Sequence, residues 1–330
     1  MANGAPAWMT VMLSSRNGAP VIGQTLDSMC RLHTPAGGWK LIVVDNGSAD
    51  DTGEILRKYS NRLPLTILSE KRPGKNRALN LALKEAEGDL YIFCDDDVIA
   101  AANWLVKWQE VTNGRPGFDL FSGATEALWP CDPPAWILDE VDLGVVFAIN
   151  PHMREGPCDA IAMFGTNMAI RASVFARGIC FNEDIGPSST QMYPMGSETE
   201  LARRLAGLGY RCWFSEAPRV KHIIRAHQMQ RQSMLVRAYR WGRGQAQMGL
   251  PHHYAPQILR RKNWLRRALY PVLMHGYRHR EAWARQWEWA IDQGYEDCWR
   301  EQNNLNPFLM HSRRAPVIAR RFLTSRKSAG

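Results

Sequence analysis

Leu90 to Val98 reads LYIFCDDDV, an apolar run that ends in three consecutive carboxylates, and it limits the possible folds more than any other segment. Its opening residues are strand formers, so the segment belongs inside a sheet and delivers Asp95, Asp96 and Asp97 at that sheet's C-terminal edge. Open α/β sheets bind ligands at that edge. Three adjacent carboxylates repel one another, and a cation beside them offsets the cost. An oxygen-rich site of this kind suits Mg²⁺ or Mn²⁺, which keep waters and bridge to a substrate's phosphates. For the triplet alone, a solvated acidic loop is the plain alternative.

The segments around it repeat one rhythm. Trp8 to Leu13 is a short apolar strand ending in Ser14, Ser15, Arg16 and Asn17, and a helical pattern follows from about Val21 to Cys30. Leu41 to Val44 is a second strand, ending in Asp45-Asn46-Gly47-Ser48, and Asp50 or Asp51 caps the next helix. A third strand, Leu65 to Leu68, leads through Pro73-Gly74-Lys75 into a helix carrying Leu79, Leu81 and Leu83. Strand and helix alternate four times in about 110 residues, which predicts a mostly parallel sheet with helices on both faces. Beyond it, the pattern predicts a strand over 118–125, a Pro- and Trp-rich loop over 129–136, a strand or hairpin around Gly165 over 159–170, and a helix over 198–208. A strand over 210–214, a basic helix over 227–248 and a mainly helical remainder complete the expectation.

The formal charge of +9 in 330 residues is confined to the C-terminal part. From Pro251 onward there are 15 Lys and Arg against 6 Asp and Glu, so the first 250 residues are neutral. Arg260-Arg261-Lys262, Arg266-Arg267, Arg313-Arg314 and Arg320-Arg321, mixed with Trp264, Trp283, Trp287, Trp289 and Trp299, suit an anionic surface. A membrane face rich in acidic lipid comes before nucleic acid as its partner, and a plainly solvated helical face stands beside both. Seven scattered cysteines without a C-x-x-C pair read as reduced and structural, favouring a cytoplasmic location. The sequence shows neither a signal peptide nor an 18-residue apolar window, so any membrane contact is expected to be peripheral, on the cytoplasmic face.

No G-x-G-x-x-G follows the first strands, and Gly74-Lys75 is followed by Asn76, so neither the dinucleotide fingerprint nor a P-loop is present. The ordered set VVDNGSADDT, RPGKNRALNLAL, YIFCDDDV, FGTNMAIRASVF, GSETELARRL and VKHI instead resembles the inverting family 2 glycosyltransferases of the GT-A fold, over roughly residues 8–245. That resemblance implies an α/β, Rossmann-like, mostly parallel sheet flanked by helices, followed by a C-terminal helical extension. Residues 1–115 would be the nucleotide-sugar-binding half and 116–225 the acceptor and catalytic-base half of one domain. Residues 226–330 would be the basic, Trp-rich extension.

The resemblance also assigns roles. Asp45 corresponds to the acid that hydrogen-bonds the nucleotide base, and its carboxylate is an acceptor for a uracil N–H. Asn17 and Lys75 fall where the family contacts the nucleotide, and Asp95 and Asp96 where it approaches the ribose and donor. Asp97, with His222 from VKHI, would ligate the metal. Glu198 stands where the family has its catalytic aspartate, in a motif whose first acid is here Ser197, and Glu200 is the competing base. Asn167 matches a segment on the acceptor side, and Trp129, Trp136 and Trp213 offer apolar faces for a sugar or for core packing. Arg237, Arg240 and Trp241 occupy the Gln-x-x-Arg-Trp position of processive synthases without its glutamine, which favours single transfer.

The expected activity is metal-dependent transfer of a sugar from a nucleotide-diphosphate donor, with uridine as the expected base, to a hydroxyl of a saccharide or lipid-linked acceptor. Cell-surface polysaccharide or glycolipid synthesis is the expected setting. A sugar nucleotidyltransferase is a rival, weakened by the missing Gly-rich loop after the first strand. A non-catalytic binder of nucleotides or anionic polymers is the rival from another class.

Overall fold

The computed structural model describes residues 8–251 and 279–303. Two compact units divide the chain: residues up to 132, 147–191 and 196–225 form the first, and residues 133–146, 192–195 and from 226 onward the second.

The first unit is built on strands β1 (Met9–Ser15), β2 (Trp39–Asp45), β3 (Leu65–Ser69), β4 (Leu90–Phe93), β5 (Val98–Ala100), β6 (Leu120–Leu128), β7 (Gly156–Cys158), β8 (Met168–Arg171) and β9 (Cys212–Ile223). They form one sheet in the order β3-β2-β1-β4-β8-β6-β9-β5, with β7 paired to β9. β3, β2, β1 and β4 run parallel, β8 is antiparallel to both β4 and β6, and β9 is parallel to β6. Helices α1 (Ile22–Met29), α2 (Thr52–Lys58), α3 (Lys75–Lys84) and α4 (Trp104–Asn113) follow strands as crossovers.

Alternation along the strands sorts the apolar side chains into two layers. Val11, Leu13, Leu41, Val43 and Ile92 face one side, with Ile22 and Leu26 of α1 and Trp104 and Trp108 of α4. Met12, Ile42, Val44 and Phe93 face the other, packed on Ala78, Leu79 and Ala82 of α3. The same layer holds Val174 of α7 (Ala172–Phe175) and Leu201, Ala202 and Leu205 of α8 (Ser197–Gly207). Both α3 and α8 therefore begin on one face of the sheet, and their first turns carry Lys75 and Glu198.

Three expectations change. The segment around Gly165 is a short 3-10 turn, Ala160–Ala162, followed by a loop and the four residues of β8, because Asp159 caps that turn by accepting a hydrogen bond from the Ile161 N–H. β9 runs twelve residues where five were expected, and its far end carries His222. Asn167 does not line an acceptor surface: it is buried, its amide nitrogen donates to the carbonyls of Ala124 and Pro218 at 2.9 and 2.8 Å, and its oxygen accepts from Trp104 Nε1. It fastens the place where the β6–β9 register shifts after Gly123.

The second unit contains α5 (Ala135–Glu140), all of α6 (Leu143–Phe147) except Phe147, α9 (Arg231–Gln247) and α10 (His279–Gln302). Trp283 is not a surface aromatic. It is buried, donates to the Glu140 carbonyl and packs edge-on against Trp136, with the Arg231 guanidinium over both rings. α9 and α10 approach so closely that a Cβ on Gly242 would lie 1.9 Å from the Ile291 carbonyl, and one on Gly294 equally close to that of Tyr239. Trp264 and the Arg260, Arg266, Arg313 and Arg320 clusters lie outside the described residues.

Candidate active site

β4 stops at Phe93, and the acidic triplet follows at the C-terminal edge of the sheet. Its three carboxylates have different surroundings. Asp95 Oδ1 accepts from Lys75 Nζ at 2.7 Å, and the same ammonium donates to Glu198 Oε1 at 2.7 Å. Burial disfavours charge on Lys75, but Asp95 and Glu198 outweigh it and the lysine pKa rises. Asp96 accepts a short hydrogen bond from the Ser15 hydroxyl at the end of β1. Burial, and then the adjacent Asp97 charge, push the Asp96 carboxyl up to about 7.

Asp97 is buried between His222 and Arg225. His222 Nε2 stands 3.2 Å from Oδ1, and an Arg225 Nη donates to Oδ2 at 2.9 Å. Burial opposes the Asp97 charge, yet His222 and Arg225 hold its pKa below the usual carboxylate range. The His222 pKa moves up, because Asp97 outweighs the burial that would lower it. Backbone pairing fixes this geometry: His222 lies in register with Val98 of β5 and Ala127 of β6, and the Ile223 N–H donates to the Asp97 carbonyl.

The residues fit a divalent cation. His222 Nδ1 lies 2.6 Å from the Phe147 carbonyl, so that nitrogen carries the proton and Nε2 points at Asp97. A neutral imidazole would aim a lone pair at a carboxylate oxygen, an arrangement relieved by a second proton or by a shared cation. One anionic oxygen with one imidazole nitrogen is a mixed donor set that Mn²⁺ accepts more readily than Mg²⁺. Among the described residues no three His, Cys, Asp or Glu side chains form a ligand cluster, so an ion held here needs ligand oxygens and waters to complete its shell.

The strand-end loops form the neighbouring wall. Asp45 Oδ1 accepts from the Ser48 N–H, closing a turn. Asn17, at φ 55°, donates its N–H to Ser48 Oγ and accepts from the Ala49 N–H, tying the β1 loop to the β2 loop. Buried Asn46 donates to the carbonyls of Glu70 and Arg72 and accepts from the Gly74 N–H, setting the approach to Lys75. Two glycines are required by close approach. A Cβ on Gly18 would lie 2.5 Å from Asp96 Oδ2, and one on Gly165 would lie 2.2 Å from Glu198 Oε1.

Of the residues singled out in the sequence, Lys75, Asp95 and Glu198 thus meet in one chain of contacts, and Asp97 meets His222. Asn17 and Asp45 meet through Ser48. Glu200 faces elsewhere, held by Arg204 at 2.7 Å. Ser15, Asn46 and Arg225 were not singled out. Arg225 follows His222 by three residues just beyond a strand, a spacing that signals nothing until the strand's end is known.

Residues 10–113 match the family described as Glycosyl transferase family 2. Glycosyltransferase AglE of Haloferax volcanii is 26% identical over 243 residues, 73% of this chain and 74% of that protein. The poly(ribitol-phosphate) beta-N-acetylglucosaminyltransferase TarS of Staphylococcus aureus is 33% identical over 90 residues, 27% of this chain and only 16% of that protein. Among solved structures, the mannosyltransferase PcManGT of Pyrobaculum calidifontis, in complex with GDP-Man and Mn²⁺, superposes with a TM-score of 0.54 at 20% identity, over 98% of this chain and 80% of that one. TarS 1–349 with UDP-GlcNAc gives 0.53 at 17% identity, over 88% and 83%. The solved structures share the GT-A fold with this chain, and the match over residues 10–113 makes that segment a Glycosyl transferase family 2 domain.

Proposed function

We propose that the chain is a metal-dependent inverting glycosyltransferase that moves one sugar from a nucleoside-diphosphate donor to a hydroxyl of a saccharide or lipid-linked acceptor. The observation that carries this reading is Lys75, whose ammonium links a carboxylate of the triplet to a carboxylate on the first turn of α8. Asp97 and His222 would hold the metal, which when bound neutralises charge on the departing diphosphate.

The protein's own groups do the rest. The acceptor oxygen attacks the anomeric carbon from the face opposite the diphosphate, the bond from that carbon to the diphosphate oxygen breaks, and the acceptor proton passes to the Glu198 carboxylate. Lys75 keeps that carboxylate ionised and oriented. Asp45, through the oxygen not engaged by Ser48, accepts from the base, and Asn17 positions the loop beside it. Asp95 and Asp96 approach the ribose and the sugar.

A uridine donor remains the first expectation. PcManGT was solved with a guanosine donor and TarS with a uridine one, and guanine also offers a ring N–H to a carboxylate. Relatives named for poly(ribitol phosphate) and for diacylglycerol products support polymer or lipid-linked acceptors and a role in cell-surface polysaccharide or glycolipid synthesis. The absence of the glutamine before Arg240-Trp241 supports single transfer. Residues 1–115 are the donor half, 116–225 contribute the acceptor wall and base, and the basic clusters from Arg260 onward engage an anionic membrane surface on the cytoplasmic side. Among the described residues no helix is long and apolar enough to cross a membrane.

The test is release of nucleoside diphosphate from a panel of UDP- and GDP-sugars with and without Mn²⁺, for the native chain and Glu198→Gln. Loss of a positioned base costs roughly 10²–10⁴-fold in turnover. Donor binding should persist in that variant. Turnover at the native rate would show that Glu198 is not the base, and no donor turnover by the native chain would overturn the reading.

A further inference from the structure

Cys158, at the end of β7, and Cys212, at the start of β9, are direct partners across the antiparallel pair. Their sulfurs share a hydrogen bond at 3.3 Å, and both residues are thiols. Directly opposed residues on antiparallel strands have Cβ atoms about 4.5–5.5 Å apart, close to the separation a disulfide spans. Closing the bond brings the sulfurs to about 2.05 Å, a shift that χ1 rotation and a small movement of a three-residue strand supply. β7 pairs with β9 alone, so such a movement disturbs no second ladder.

The two thiols also differ. Cys158 is half-buried and Cys212 is buried. The hydrogen bond with Cys212 draws the Cys158 thiol below its ordinary range and sends Cys212 up. The more accessible sulfur is therefore the nucleophile, and the buried one stands behind it as the resolving partner. Cys131 and Cys180 are more exposed, and neither has another thiol within hydrogen-bonding reach among the described residues.

We propose that Cys158 and Cys212 form an oxidant-responsive dithiol site that takes a hydroperoxide and closes to a disulfide tying the edge strand β7 to β9. The Cys158 thiolate attacks a peroxide oxygen, the O–O bond breaks, and hydroxide leaves, giving a sulfenic acid on Cys158. The Cys212 sulfur then attacks the Cys158 sulfur, the S–O bond breaks, and the hydroxide leaves as water with the Cys212 proton. With hydrogen peroxide, two thiols yield one disulfide and two waters: each sulfur gives up one electron and the peroxide takes both. The crosslink closes a long loop, since the two cysteines are 54 positions apart, so it stabilises the chain against unfolding.

The full chain is treated with graded hydrogen peroxide, quenched with N-ethylmaleimide in denaturant, digested and analysed by mass spectrometry. The expected result is a Cys158–Cys212 linked peptide pair, two hydrogens lighter than its parts, reversed by dithiothreitol. It should accompany a rise of several degrees in the thermal midpoint. Because Cys212 is buried, Cys212→Ala is measured beside Cys212→Ser; in either, dimedone labels Cys158 and the midpoint no longer rises with peroxide. Recovery of Cys158 and Cys212 as maleimide adducts, at peroxide levels that oxidise Cys131 and Cys180, would overturn the proposal. So would conversion of native Cys158 to sulfinic acid without a crosslink.

Discussion

Lys75 Nζ lies 2.7 Å from both Asp95 Oδ1 and Glu198 Oε1, so one ammonium holds together two carboxylates that are 103 positions apart in the sequence. Removing it leaves two acidic groups facing each other in a largely dry site. Lys75→Met is expected to destabilise the fold by about 2–4 kcal/mol. Pairing it with Glu198→Gln should recover part of that loss, with a coupling of roughly 1–3 kcal/mol in a denaturant double-mutant cycle. Strict additivity would show that the bridge contributes nothing.

The Asp96 carboxyl gives stability a pH dependence of known sign. Unfolded, it ionises near the ordinary aspartate value of 3.8; folded, it keeps its proton to about 7. Between those values the folded state binds more protons, so this group's contribution falls as pH rises, by roughly 1 kcal/mol per unit, and levels off above 7. Asp96→Asn should flatten that slope in thermal melts made with a chelator present.

Under the proposed function, a divalent cation at Asp97 would offset the same repulsion. Mn²⁺ should raise the melting temperature more at pH 8 than at pH 6, because protonated Asp96 offers it less negative charge. Asp97→Asn is expected to abolish the Mn²⁺ response at both values. A response that survives the substitution would move the ion elsewhere.

Gly165 offers a way to displace Glu198 without altering its chemistry. The added methyl of Gly165→Ala would lie 2.2 Å from Glu198 Oε1 and 2.8 Å from its Cδ, so the carboxylate must turn aside and give up Lys75. A misplaced base loses geometry, so turnover should fall at least about 10-fold while donor affinity changes little and stability falls no further than in Lys75→Met. Turnover equal to the native chain would mean that Glu198 acts from another position.

Asn167→Ala tests a structural role against an acceptor role. It strips partners from two buried carbonyls and the Trp104 indole, so the loss should be about 2–4 kcal/mol in urea unfolding. Native stability with a weakened acceptor response would reinstate the acceptor reading.

A test of the basic extension has to keep α10, because of its close contacts to α9. Removing residues 304–330 and neutralising Arg260, Arg261 and Lys262 keeps both helices in the chain. This variant should lose co-flotation with phosphatidylserine vesicles. Flotation equal to that of the native chain would rule out the membrane role.

Local chemistry carried much of the fold. The sheet from β1 to β4, its helices and the edge that bears Asp95 to Asp97 follow from apolar runs, caps and turns read a few residues at a time. The motif series also pointed to Lys75, Glu198 and His222. The sequence alone did not choose between Glu198 and Glu200, whose two-residue offset turns them to different sides of a helix. Packing of α8 through Leu201 and Leu205 decides which side faces Lys75 and which faces Arg204. The same holds for Asn167, Arg225 and Trp283. Each has a short polar or aromatic signature open to several roles, and its role is set by side-chain hydrogen bonds to partners 43 or more positions away, brought close only when sheet and helices pack.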